Sequence, residues 1–174
     1  GYTAGTDGAI IDANHITACG TGVSLGTSLR NATPQNMRNV AVRGNVIRSS
    51  HRVGVDVWTP SAGTSMRNVL VEKNVIDGGP VAVYVRGFGT DTSHRNVVVA
   101  GNLCDGQTTT SGANAAIAVT SFHGATVQGN AVSDAAGAAF RVSFADDVTI
   151  SGNTVTRSQS NGVAGAVATK GRSQ

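Results

Sequence analysis

The chain is predicted to be an all-β solenoid of about six coils, each built from three short strands and joined to its neighbours by an asparagine ladder. Three observations carry this. The stretch NVLVEKNVIDGGPVAVYV (Asn68 to Val85) recurs along the chain, and aligning its copies on one asparagine picks out Asn14, Asn45, Asn74, Asn102, Asn130 and Asn153. The intervals of 31, 29, 28, 28 and 23 residues fall in the range of stacked repeats. Around each asparagine, apolar and polar residues alternate with a period of two, which is the pattern of strands with one buried face, and no repeat has a helical period.

Each element follows from a column of the alignment. The first strand of a coil carries Ile11, Val42, Val71, Val99, Val127 and Ile150 three residues before the asparagine, and Val40, Val69, Val97, Ala125 and Val148 five before it. Two residues before the asparagine, between these columns and the next strand, the residues are mixed: Arg43, Glu72, Ala100, Gln128 and Ser151 share one outward position. The second strand carries Ile16, Ile47, Ile76, Cys104, Val132 and Val155 two residues after the asparagine. The third is weak around Val23 to Leu25 and then comprises Val53 to Trp58, Val81 to Gly87, Ala115 to Thr120 and Ala138 to Phe144, with Val53, Val55, Val57 and Val81, Val83, Val85 expected inward. The asparagine marks the bend between first and second strands, usually after a glycine such as Gly44 or Gly101. It is expected to hold the left-handed backbone of that bend, and its amide to bond the coils above and below. Asn39, Asn68, Asn96 and Asp147 form a second bend column.

The repeated pattern V-x-V-x-G-N-x-[IV] resembles the right-handed parallel β-helix superfamily, the pectate-lyase-like fold, over about residues 8 to 169. The resemblance implies a single-stranded right-handed parallel β-helix. It implies no one activity, since the superfamily holds polysaccharide lyases, glycoside hydrolases, uronan epimerases and phage tailspikes.

A chain of 174 residues fits one domain, residues 1–174. Its 23 glycines and scarce aromatics suit a core of stacked small residues, and a net charge of +3 does not call for nucleic acid. Cys19 and Cys104 lie three coils apart, roughly 14 Å at one strand spacing per coil, so both are expected to be free thiols. No apolar run is long enough to span a bilayer. The chain opens and closes inside a coil, and is therefore expected to be a fragment of a longer protein or to have its ends covered by neighbours. Length varies in the loops GTSLRNATPQ, TPSAGTS, FGTDTS and GQTTTSGAN, while the asparagine bend is constant. Insertions confined to one side of a solenoid wall a groove. Asn31-Ala32-Thr33 has the form of a glycosylation sequon, a chance match in a chain this rich in Asn and Thr.

Alternation fixes what the third strands present outward. One column reads Ser24, Asp56, Tyr84, Ala118, Arg141, Ala164, and the next Trp58, Arg86, Thr120, Ser143. Aromatic faces stack on pyranose rings, arginine grips a carboxylate bidentately, and a carboxylate or arginine can move a proton. The candidate site therefore comprises Asp56, Arg86 and Arg141 as catalytic residues with Trp58 and Tyr84 contacting sugar; in resembling enzymes this sheet bears the active site. Seven residues before the asparagine stand Arg38, Arg67, Arg95 and then His123. Stacked like charges need a counter-charge, either an anionic polymer or carboxylates such as Asp91. Asp77, Asp105 and Asp134, flanked by Arg48 and Arg157, could share a proton or a calcium ion, but DGG, DGQ and DAAG are turn sequences that favour Asp without chemistry. Asp146-Asp147 matches the paired aspartates of polygalacturonases, but the G-H-G and R-I-K elements, the epimerase YGFDPH and the lyase R-x-P-x-x-R are missing. The histidines have no metal-ligand spacing, and no cofactor or metal is expected.

Two readings follow. The first is a domain recognising a polysaccharide, acidic in character, from a polysaccharide-degrading enzyme or a phage tailspike. If catalytic, it would be a lyase or glycoside hydrolase, although hydrolysis needs two carboxylates and the face offers Asp56 alone. The second is a non-enzymatic structural or adhesive segment of a virion fibre or surface protein, forming a homotrimer. Both place the chain outside the cell or on a virion, without membrane or nucleic-acid partners.

Overall fold

A computed structural model describes residues 6–26, 29–30, 33–34, 36–59, 63–88, 93–108 and 115–158. The chain is a right-handed parallel β-helix whose strands stack into three sheets. Sheet one comprises Ile10–Asp12, Met37–Arg43, Met66–Glu72, Arg95–Ala100, His123–Gln128 and Asp146–Ser151, with Thr6–Asp7 paired beside Met37 and Arg38. Sheet two comprises His15–Thr17, Val46–Arg48, Val75–Asp77, Leu103–Asp105, Ala131–Ser133 and Thr154–Thr156. Sheet three comprises Thr21–Gly26, Val53–Trp58, Val81–Arg86, Ala115–Thr120 and Ala138–Ser143. Among the described residues this makes five complete coils and the first two strands of another, slightly short of the six expected. A two-residue antiparallel pair, Leu29–Arg30 with Thr33–Pro34, lies after the first coil.

The register reproduces the columns of the alignment. Val40, Val69, Val97, Ala125 and Val148 stack, as do Ile47, Ile76, Cys104 and Val132. Except for the partly buried Val148 these interior files are nearly solvent-free, and each buried aliphatic side chain contributes about 1.5–3 kcal/mol. A further file at the sheet-one entrance, Met37, Met66, His94 and Phe122, is also fully buried. The His94 and Phe122 rings lie 5.7 Å apart.

The asparagine ladder runs the length of the solenoid. Asn45, Asn74 and Asn102 are 0% exposed. The Asn74 Oδ1 accepts from the Asn45 backbone N–H at 3.0 Å and from its Nδ2 at 2.9 Å. Asn74 Nδ2 in turn donates to Asn102 Oδ1 and to the Val42 carbonyl of the coil below, both at 3.0 Å. Every donor and acceptor of the amide is used. The left-handed backbone falls one residue earlier than expected, at Ala13, Gly44, Lys73, Gly101, Gly129 and Gly152. The asparagine supplies the hydrogen bonds, and its predecessor makes the bend. The second column does combine the two roles: Asn39, Asn68, Asn96 and Asp147 all have φ between 51° and 58°.

Sheet three departs from simple alternation. The ladder pairs Val81 with Val53 and Val83 with Val55 but skips Ala82, so the strand kinks there. Ala82, Ala116 and Ala139 point into the main core. Val81, Ala115 and Ala138 instead turn out into a satellite cluster with Val53, Tyr84 and Ala118. The inward placement expected for Val53 and Val81 is thus corrected. The kinked position has to be small: a Cβ on Gly54 would sit 2.6 Å from Ile76 Cγ2, and one on Gly22 equally close to Ile47 Cγ2.

Candidate functional site

Sheet three assembles the expected outward face in register. Ser24, Asp56, Tyr84, Ala118 and Arg141 form one file, and Gly26, Trp58, Arg86, Thr120 and Ser143 the next. Across the two files the Arg86 guanidinium chelates Asp56, with Nε donating to Oδ1 at 3.2 Å and Nη2 to Oδ2 at 2.8 Å. Its Cζ lies 4.8 Å from the Tyr84 ring centroid and 5.5 Å from that of Trp58, within cation–π range. The indole has a seat of its own: a Cβ on Gly26 would meet Trp58 Cε2 at 2.8 Å. Gly26 occupies the Trp58 file one coil below, so this partner was visible in the alignment. The diagonal Asp56–Arg86 pair was not, because alternation assigns residues to files and says nothing of reach between them.

Asp56 is 7% exposed and both its oxygens hold Arg86. Tyr84, Trp58 and Arg86 are half-buried, with outer edges open to solvent, and Arg141 lies two coils from Tyr84. Asp91 and most of the insertions expected to wall a groove lie outside the described residues, as does Ala164.

On sheet one, Arg38, Arg67, Arg95 and His123 stack as expected. The file is closed by a carboxylate at each end. Arg38 Nε donates to Asp7 Oδ2 at 2.8 Å, and His123 Nδ1 contacts Asp146 Oδ1. The hydrogen bond from Asn39, followed by the charge of Arg38, holds the Asp7 carboxyl below its ordinary range. Arg67 and Arg95 are exposed and form no ion pair among the described residues. Beside them an apolar depression of about 470 Å³ is lined by Ile10, Ala41, Leu70 and Val98 behind the Asn39, Asn68, Asn96 file.

On sheet two, Asp77 and Asp105 stack directly, with Arg48 one coil below Asp77. Ser133 Oγ donates to Asp105. Asp134 sits past this strand in the left-handed bend, chelated by Arg157 at 2.7–2.8 Å, which lowers its carboxyl from the ordinary value. Asp146 and Asp147 do not act as a pair: the first holds His123, and the second occupies a bend. Both cysteines are free thiols, and burial pushes the Cys104 thiol up to about 12.

These features define a parallel β-helix with one face of pre-organised polar and aromatic side chains. The model of a family described as "Periplasmic copper-binding protein (NosD)" matches residues 30–172. The chain belongs to the NosD family, a family of right-handed parallel β-helices. The family's periplasmic description agrees with a place on the outer side of the cytoplasmic membrane. No curated protein and no solved structure matches the chain.

Proposed function

We propose that this chain is a periplasmic glycan-recognising β-helix that grips an acidic polysaccharide on the outer face of sheet three without cleaving it. The observation behind this reading is the Asp56–Arg86 chelate seated between Trp58 and Tyr84. Asp56 uses two of the guanidinium N–H groups and fixes its plane. The Arg86 side chain is 38% exposed, and a uronate carboxylate can take the remaining N–H groups bidentately. Trp58 and Tyr84 flank that point and offer ring faces to the sugar, with Arg141 further along the same file.

The same geometry argues against turnover. A general acid or base needs an accessible proton-exchanging oxygen, and both Asp56 oxygens are occupied. On this reading Asp56 and Arg86, and Arg141 along the same face, serve binding.

The family's description raises copper. The described residues contain no group of three His, Cys, Asp or Glu side chains placed to hold a metal ion. The donor chemistry points the same way. His94 is fully buried with its two ring nitrogens 3.1 Å and 3.2 Å from the backbone nitrogens of Met66 and Phe88, so neither ring nitrogen is open to a metal. Cys104 is a buried neutral thiol, and thiolate is the metal-binding form. The described residues do not fit a copper centre, and no step is derived through one.

Calorimetric titration with polygalacturonate, alginate and neutral dextran tests the glycan reading. Trp58→Ala is expected to weaken the acidic polymers about tenfold, or ~1.4 kcal/mol, and to leave the melting temperature nearly unchanged. No reducing ends or unsaturated product should appear. Absence of binding to every polymer overturns the glycan reading. Product formation that disappears in Asp56→Asn replaces it with a catalytic one.

A further inference from the structure

Charge and apolar surface are distributed over sheets one and two in a matched way that the glycan face does not use. The two arginines of the sheet-one file that form no ion pair among the described residues, Arg67 and Arg95, belong to the third and fourth coils. The two stacked carboxylates of sheet two, Asp77 and Asp105, belong to the same two coils, are exposed, and form no ion pair among the described residues. In each of these coils an outward aliphatic residue accompanies the charge. Leu70 and Val98 stand on sheet one, and Val75 and Leu103, 38% and 54% exposed, on sheet two. The coils on either side break the pattern. Arg38 is neutralised by Asp7 and His123 contacts Asp146, while sheet two carries Arg48 and Ser133 at the matching positions.

We propose that sheet one of one copy docks on sheet two of a second copy, the two solenoids lying side by side and parallel. A rotation axis parallel to the solenoid axis keeps equal coils at equal height. Arg67 then faces the neighbour's Asp77 and Arg95 the neighbour's Asp105. Leu70 and Val98 meet Val75 and Leu103 in the neighbour. Both surfaces repeat at one strand spacing per coil, about 4.8 Å, so satisfying one pair places the next. The contact joins unlike faces, and a docked pair retains one free sheet two on the first copy and one free sheet one on the second, so the assembly grows into a closed ring or a lateral array. Sheet three stays outside the contact, which leaves the glycan face open.

Sedimentation velocity and light scattering on the intact chain test this. The wild type is expected to sediment as an oligomer whose population rises with concentration and falls with added salt. Arg67→Glu/Arg95→Glu, which makes both faces acidic, and Asp77→Arg/Asp105→Arg, which makes both basic, should each reduce the mass to the 17.5 kDa of one chain. Mixing the two variants should restore assembly, because each then offers the other an opposite face. Unchanged circular dichroism and melting in the separate variants would establish that folding is intact. A wild type that remains monomeric at its highest soluble concentration overturns the proposal, as do variants of unchanged mass or a mixture that fails to reassemble. A monomer whose Arg67→Glu/Arg95→Glu variant loses polygalacturonate overturns it too, and makes the arginine pair a polyanion site.

Discussion

Two asparagine files run along this solenoid a few residues apart, and they do different work. In the first, Asn45, Asn74 and Asn102 are sealed from water with every amide donor and acceptor engaged. In the second, Asn39, Asn68 and Asn96 are exposed and joined by single amide bonds, Asn68 to Asn39 at 2.9 Å and Asn96 to Asn68 at 3.1 Å. Those same residues hold φ near +55°, a conformation that costs other L-residues roughly 1–2 kcal/mol. The buried file is kept for its hydrogen bonds and the exposed file for its backbone. Residue type alone does not distinguish them; burial and φ do.

Substitution can pull these roles apart. Asn102→Ala should be the most damaging change, costing about 2–3 kcal/mol in urea denaturation. It strands the Asn74 N–H groups and the Val71 carbonyl away from water. Asn102→Gly should cost at least as much, since the backbone there needs no glycine. Asn68→Ala should cost about 1 kcal/mol, but Asn68→Gly close to nothing, because glycine adopts positive φ freely and already stands in this file at Gly124. If Ala and Gly rank alike in both files, the distinction fails.

Lys73 offers a smaller test in the opposite direction. It holds φ 54° where the neighbouring coils have Gly44 and Gly101. Lys73→Gly should raise stability by roughly 0.5 kcal/mol, the relief of left-handed strain less the added unfolded-state entropy. The smallest effect is electrostatic. Asp7 caps the exposed file by accepting from Asn39 Nδ2 at 2.8 Å, and its carboxyl lies below the ordinary 3.8. A lowered folded-state value contributes stability that is complete above 3.8 and disappears as pH falls through the folded value. Melting curves taken down through that range should show a small loss in wild type that is absent in Asp7→Asn, while the buried amides have nothing to titrate.

The files themselves were legible in the sequence because stacking copies one column onto the next: Asp56, Tyr84, Ala118 and Arg141 could be placed side by side from spacing alone. What escaped was whatever breaks a period of two. The kink at Ala82 turns Val53 and Val81 away from the core, and its only trace is the small file Gly22, Gly54, Ala82, Ala116, Ala139 beside Ile47 and Ile76. The left-handed residue was placed on the asparagine instead of its predecessor because glycine and asparagine are both permissive there, and Lys73 obscured the glycine file. The Asp56–Arg86 chelate joins residues from different files on adjacent coils. It depends on side-chain length and rotamer, which the pattern does not encode.

The buried ladder is also directional. From Asn14 to Asn153 each Nδ2 donates to the Oδ1 of the following coil, and no bond in the row is reversed. The amide dipoles therefore add along the axis like magnets laid head to tail. Any length cut from such a row offers a bare oxygen at the first rung and a bare N–H at the last. A new coil can join only by presenting the complementary group, so the row has a grain: two such cores can continue one another in tandem, whereas turning one end for end sets like groups face to face.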